Sequence, residues 1–359
     1  MKKVLHVSYS LDTGGGPLYI SKIVDEIRTV THYVTGNKGY YFSSFETRLG
    51  PGKVFELNDK SVIANVKIIR RICEENGITI IHAHGRGAGL YARLLKFFGA
   101  KVKVIYTIHG FHPDTLNPLL KFSYILVEKF LYSYTDIVIS VSKSECQRFI
   151  DVIKPRDVKK MVYIPNYISA EDIKPPLVKI DLDKDFVNLI YIGRLSWEKG
   201  IDVLLDAWQM VRDEKAKLHI VGYGPDERLV RAQVDGNNLI FLGKIENASS
   251  ILPSFDAVII PSRFEGMPFI GLEAMIQKSA VICTPSVGLT DLFDKRTSYM
   301  ADDFSPKSLR IAIETFIDDF RKNPIEIKSK VELCFKKVTE EFSKDNLKRI
   351  EEVYNTIQE

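Results

Sequence analysis

One theme recurs along the chain: a short apolar, β-branched run, then a glycine or polar loop, then a stretch of helical periodicity. Such runs occur at Val4–Ser8, Ile78–Ala83, Val102–Ile108, Asp136–Val141 and Met161–Ile164 in the first half, and at Val187–Ile192, Leu218–Val221, Ile240–Gly243, Ala257–Ile260 and Ala280–Cys283 in the second. Near-continuous apolar strands alternating with helices predict an α/β chain of parallel sheets covered on both faces. Ligands of such sheets sit at the carboxyl ends of the strands. Gly14-Gly15-Gly16, His84 and His109 fall at those ends. With 359 residues and 45% apolar content the chain has room for two domains, each with a full core.

The second half carries the chemistry most densely. Arg263-Phe264-Glu265-Gly266-Met267-Pro268-Phe269-Ile270-Gly271-Leu272-Glu273 follows the run Ala257–Ile260. Pro268 suits the first position of a helix. Glu265 then lies in the loop before the helix and Glu273 on its second turn. The amides of Phe269 and Ile270 open the helix without intrahelical acceptors, an end that binds phosphate. Two glutamates at this spacing are, by themselves, better explained by an ordinary amphipathic helix. The loop Gly193-Arg194-Leu195-Ser196-Trp197-Glu198-Lys199-Gly200 changes that balance, because Arg194 and Lys199 at a strand end are placed to neutralise a diphosphate. A ligand with a central diphosphate and a sugar at each end, a nucleotide sugar, fits this set.

Other features narrow the classes. A net charge of +4, from 50 basic and 46 acidic residues, gives no footprint for nucleic acid. Cys73, Cys146, Cys283 and Cys334 are scattered without metal-ligand spacing and read as reduced thiols. Met1-Lys2-Lys3 before Val4 is read as the start of a core strand rather than a leader. No apolar run reaches the roughly 20 residues that span a bilayer. Gly14–Gly16 matches neither dinucleotide nor P-loop spacing, and taken alone reads as a flexible turn. His82 and His84 share one strand face, but a metal pair needs a third ligand that the sequence does not offer, so they read as structural or acceptor-lining. His112 receives no role. Asp181 and Asp183 form a D-x-D in a charged linker. The helix Asn117–Tyr134 is read mainly as core, with part of it, beside Lys96, Lys101, Lys103, Lys121 and Lys129, resting on an anionic membrane surface.

Taken together, the paired glutamates, the Gly-Arg and Glu-Lys-Gly elements and the Gly222-Tyr223-Gly224-Pro225 turn resemble the retaining glycosyltransferases of family 4. The likeness spans nearly the whole chain and is strongest over 186–291. It implies a GT-B architecture, two Rossmann-like parallel-sheet domains facing across a cleft: 1–167 for the acceptor, 168–338 for the nucleotide sugar, and a 339–359 helix packing back on the first domain. It implies catalytic roles for Arg194, Lys199, Glu265 and His109, the last at the donor sugar. It places Gly14, Gly15, Gly16, Gly222, Gly224, Lys244, Met267, Phe269, Ile270 and Glu273 around the substrates, with Lys244 near the base and Glu273 on the ribose. Two departures stand out. Tyr167 follows Pro165-Asn166 where the family usually has glycine, and Gly288-Leu289-Thr290-Asp291 replaces its usual glycine, proline and glutamate, which puts an acidic contact by Asp291 in doubt. The implied reaction is hexosyl transfer from a UDP- or GDP-sugar to a glycan or lipid-linked acceptor, without metal or other cofactor, in a cytoplasmic protein peripheral to the membrane. Surface polysaccharide synthesis is the expected setting. The alternatives are a nucleotide-sugar epimerase on the same fold and a silent binding subunit of a polysaccharide-assembly complex.

Overall fold

The structure is a computed structural model that describes residues 1–57, 61–234 and 238–357. The chain divides into two compact units. One is Met1–Asn166 together with the segment from Asp345 onward; the other is Tyr167–Lys344. In the first, strands β1 (Lys3–Ser10), β2 (Thr31–Asn37), β3 (Val54–Glu56), β4 (Ile80–His84), β5 (Lys103–Ile108), β6 (Ile137–Ser140) and β7 (Met161–Tyr163) form a sheet in the order β3-β2-β1-β4-β5-β6-β7. In the second, β8 (Val187–Ile192), β9 (Ala216–Val221), β10 (Leu239–Gly243), β11 (Ala257–Ile260), β12 (Ala280–Cys283) and β13 (Tyr299–Met300) run β10-β9-β8-β11-β12-β13. Every pairing in both sheets is parallel. The chain is an α/β protein of two Rossmann-like units. Strand order reverses between β1 and β4 in one and between β8 and β11 in the other, and such reversals open ligand crevices at the strand ends.

The two faces of the first sheet differ in kind. Successive strand residues alternate between faces. Leu5, Val7, Ile81, Ala83 and Val104 point into an apolar core with Val66, Ile69, Ala88 and Leu95. The opposite positions on β1 and β4 are His6, Ser8, His82 and His84, all buried. Against them lies the helix Asp345–Thr356, whose Leu347, Ile350, Val353 and Tyr354 are buried. Lys2 Nζ ties down that helix end, donating to the carbonyls of Tyr354, Asn355 and Ile357 at 2.8–3.1 Å. In the second unit one face of the sheet, with Leu189, Leu218 and Ile259, packs into a core with Leu204, Trp208 and Phe316.

Several boundaries differ from the sequence expectation. The helix after the first glycine loop begins at Gly15 rather than near Leu18. Pro17 is tolerated there because first-turn amides have no intrahelical acceptor. Pro268 does not open its helix: it is extended (φ −71°, ψ 128°) and Phe269 is the first helical residue. The tail helix starts at Asp345, while residues up to Lys344 belong to the second unit. The largest difference concerns Pro118–Tyr132. It buries Tyr124, Glu128, Leu131 and Tyr132 only, and exposes Leu119, Leu120, Phe122, Leu126, Val127 and Phe130. An apolar helix is therefore not, in this case, a core helix.

Its anchor is ionic. Arg93 and Glu128, at 1% and 3% side-chain exposure, make a two-pronged pair of 2.7 and 3.0 Å, with Arg93 Nε on the Gly89 carbonyl and the guanidinium over the Tyr106 ring. Removing one partner leaves the other charged and buried. Glu128→Ala should therefore destabilise the first unit by about 3–5 kcal/mol in urea unfolding; a loss below about 1 kcal/mol, the range of exposed pairs, would refute this anchor.

Candidate functional site

Two loops leave the adjacent strand ends β8 and β11, and a set of polar contacts stitches them together. Gly200 is left-handed (φ +68°), and a Cβ there would stand 1.9 Å from the Pro261 carbonyl oxygen, so only glycine permits the approach. The Arg263 amide donates to the Glu198 carbonyl at 3.0 Å. The Arg263 guanidinium holds Asp202 at 2.6 and 2.7 Å, reaches the Trp197 carbonyl at 2.6 Å and covers the Trp197 ring. In turn Trp197 packs on Phe264. The sequence reading passed over Arg263 and Asp202, whose separation of 61 residues hides the pair until the strands are ordered.

This frame carries the central contact. Lys199 Nζ meets both carboxylate oxygens of Glu265 at 2.7 Å, and the Ser262 hydroxyl donates to Oε1 at 2.7 Å. Glu265 is buried (7% exposed), so its charge is held by these donors, while Lys199 is half-exposed. Gly288 closes the loop from behind: a Cβ there would lie 2.0 Å from the Gly266 carbonyl oxygen. The departure at Gly288–Asp291 thus forms a short helix, Val287–Leu292, seated on the Glu265 loop.

The other second-unit candidates lie on these two loops, on the helix after β11 and at the ends of β9 and β10. Arg194 is exposed at the start of the β8 loop, and its carbonyl accepts from the Tyr191 hydroxyl at 2.7 Å. Met267 and Phe269 are buried, while Ile270 and Glu273 are half-buried on the Phe269–Ile276 helix. Gly271 and Leu272 amides return to the Pro268 carbonyl, which leaves the Ile270 amide ahead of the helical ladder. Gly222 and Gly224 serve the backbone. Cβ atoms there would stand 1.9 Å from the Gly193 carbonyl and 2.2 Å from the Leu195 carbonyl, because the two loops lie on each other. Lys244 is exposed with its ammonium over the Tyr223 ring.

In the first unit, Gly14 precedes the Gly15–Glu26 helix at the end of β1, and Gly14 and Gly16 have open space where a Cβ would point. His109 follows β5, with a buried Nε2 that has no hydrogen-bond partner among the described residues. Burial pushes its pKa down to about 4, so the ring is neutral near pH 7. Here the sequence expectation needs correcting. A third imidazole does stand beside His82 and His84: His6, whose strand pairs with β4 so that His6 and His82 are Cα partners. Nitrogens of the three lie within 4.8 Å of one another. Both His6 nitrogens are engaged, by His32 and His84, and both His82 nitrogens by Tyr354 and Thr107. The signal for this cluster was present as His at alternate positions of β4 and one on β1, but only strand order brings them together.

Known proteins resemble this chain in family and in fold. Residues 187–319 match the family Glycosyl transferases group 1, and residues 41–172 match Glycosyltransferase Family 4. The O-antigen biosynthesis glycosyltransferase WbnH of Escherichia coli is 30% identical over 207 residues, 57% of this chain and 58% of that protein. The Escherichia coli UDP-Gal:alpha-D-GlcNAc-diphosphoundecaprenol alpha-1,3-galactosyltransferase is 26% identical over 244 residues, 63% of this chain and 61% of that one. Among solved structures, Anabaena Alr3699/HepE in complex with UDP and glucose superposes with a TM-score of 0.80 at 17% identity, over 99% of this chain and 100% of that one. The fold is thus GT-B.

The imidazole cluster sets a pH dependence. Burial lowers the pKa of His6, His82 and His84 well below 6.5, that of His32 below it, and that of His109 to about 4. The unfolded chain takes up protons near pH 6.5 that the folded one refuses, so stability rises with pH and is lost as pH falls from about 6.5 toward 4. Melting temperature should drop steeply between pH 7 and 5, and the slope should flatten in His109→Gln. A level profile over that range would contradict the buried, neutral assignment.

Proposed function

The chain is a member of the glycosyl transferases group 1, and from that premise we propose that it moves a hexosyl group from a nucleoside-diphosphate sugar, UDP-linked in the first instance, to a glycan or lipid-linked acceptor with retention at the anomeric carbon. The observation that carries this is the Lys199–Glu265 pair at the β8–β11 crevice, bordered by Arg194 and the helix start at Phe269. Arg194 and Lys199 supply positive charge where negative charge grows on a departing diphosphate. The first amides of the Phe269–Ile276 helix add dipoles of the same sign. Glu265, clamped by Lys199 and Ser262, is positioned to take sugar hydroxyls, and Glu273 those of the ribose. As the glycosidic bond breaks, the leaving phosphate oxygen takes the proton of the acceptor hydroxyl, so no separate base is invoked. Two cationic side chains fill the place of a metal in this scheme. The UDP and UDP–glucose complexes of Alr3699/HepE and the UDP-Gal donor named for the Escherichia coli galactosyltransferase support the choice of donor.

A lipid-linked acceptor suits the surface of the first unit. Leu119, Phe122, Leu126 and Phe130 recur every three or four residues on the exposed face of Pro118–Tyr132, and Phe97 and Tyr134 extend the patch by ring contacts. Of the nearby lysines, Lys96 and Lys103 are turned to Asp136 and Lys121 to Asp114, so Lys101 and Lys129 carry the exposed charge. No helix among the described residues is long and apolar enough to cross a membrane, and this face is proposed to lie on an anionic bilayer surface. The galactosyltransferase relative acts on a diphosphoundecaprenol-linked sugar by its name, which points the same way.

Thermal shift against UDP, GDP, ADP and their sugars should show stabilisation by one nucleotide family with or without magnesium. A shift that requires magnesium would remove the two-cation account. Lys199→Ala should cut donor turnover about 100-fold. Because it strips Glu265 of its partner, it is read beside Lys199→Ala/Glu265→Gln, which should regain stability but not turnover; recovery of turnover in the double variant would reduce the pair to a structural role. Phe122→Asp with Leu126→Asp should abolish sedimentation with anionic vesicles and leave the melting temperature unchanged. Undiminished sedimentation would place the membrane contact elsewhere.

A further inference from the structure

The polar face of the first sheet holds a chain of imidazoles whose hydrogen-bond direction is fixed at one end. The Ile27 carbonyl can only accept, so the His32 Nε2 at 2.8 Å carries a proton and donates to it. Neutral His32 then accepts at Nδ1, and His6 donates to it from Nε2 at 2.9 Å. His6 is left to accept at Nδ1, and His84 donates from Nε2 at 3.1 Å. The chain therefore ends at His84 Nδ1 as a bare lone pair. That atom is buried, and no described group donates to it.

Two further buried polar groups stand nearby: the Tyr19 hydroxyl, within reach of Thr107, and His109 Nε2, which has no partner among the described residues. The Tyr19 ring stands edge-on to His84 at 5.7 Å and to His109 at 5.1 Å, and His84 and His109 stack at 5.8 Å. An acceptor nitrogen beside a hydroxyl selects the occupant. The diesterified diphosphate of a nucleotide sugar has no proton to give the lone pair, and with both nitrogens of His6 and His82 engaged the group offers a cation too few free ligand atoms. A hydroxyl both donates and accepts, and fits. The cluster lies at the ends of β4 and β5, beside the reversal of strand order between β1 and β4 where ligands enter such sheets.

We infer that His84 is a sugar-binding residue whose Nδ1 accepts a hydrogen bond from a substrate hydroxyl, with Tyr19 and His109 completing the position. The sugar rests on the glycosyl-transfer reading above, and the acceptor character of Nδ1 on the hydrogen-bond chain alone.

Two substitutions separate the ends of the ring. His84→Gln keeps a donor toward His6 and leaves nothing at Nδ1; His84→Asn does the reverse. In the full chain, His84→Gln should keep the wild-type melting temperature and UDP affinity by calorimetry. It should lose about tenfold either in affinity for UDP-glucose or UDP-N-acetylglucosamine, which assigns the hydroxyl to the donor, or in transfer to octyl glycosides relative to donor hydrolysis, which assigns it to the acceptor. His84→Asn should melt lower but retain more of that function. Wild-type behaviour of His84→Gln in both arms, or activity losses that only track melting temperature in both variants, overturns the assignment. Nitrogen NMR of the wild type decides the chain without any ligand: a proton on His84 Nδ1 overturns it. A wild-type chain that binds no nucleotide sugar instead sinks the function on which the sugar depends, and the sugar assignment with it.

Discussion

A parallel sheet buried on both faces leaves only its strand ends for chemistry. That constraint governs both units here. Each strand is hydrogen-bonded along its length, most of its side chains are buried, and the loops at the carboxyl ends are where polar side chains converge within reach of a ligand. Where strand order reverses, the loops on either side diverge and leave room. β8 and β11 flank one reversal, and Lys199 and Glu265 come from the loops that follow them.

The Lys199–Glu265 contact is physically informative because its two ends differ. Glu265 is buried and must be compensated, whereas Lys199 is half-exposed and has water as an alternative partner. The pair therefore contributes less to fold stability than to fixing a carboxylate in place. In the proposed reaction an incoming diphosphate would compete for Lys199, and Ser262 would keep Glu265 partly satisfied. The Arg263–Asp202 bond and the close approach of Gly200 to Pro261 hold the loops so that this exchange does not let them part.

Much of this was legible in sequence because it depends on short-range pattern. The β-branched runs mark the strands, whereas Gly222 and Gly224, read in sequence as lining the substrate, stand with Gly200 and Gly288 where a methyl group would strike a carbonyl. What could not be read depends on strand order. The Arg263–Asp202 clamp joins residues 61 apart, and the imidazole cluster draws on β1, β2, β4 and the turn after β5. The helix Pro118–Tyr132 misled for another reason. Hydrophobicity reports that a face avoids water, not which partner covers it, and two apolar stripes on one helix look the same whether one or both meet the core.

The histidine face shows how a sheet can be buried without being apolar. Three strands place imidazoles on the same side, and neutral imidazole is one of few groups that can donate at one end and accept at the other. Rings joined head to tail satisfy one another with little charge to bury, which a face of lysines or carboxylates could not do. The cost is that no ring sets its own tautomer. The direction is imposed by the Ile27 carbonyl at the far end and carried through His32 and His6. Reversing it would require a second donor at His32 Nε2, where only a carbonyl stands. His32 therefore determines what His84 presents at the strand end without touching it.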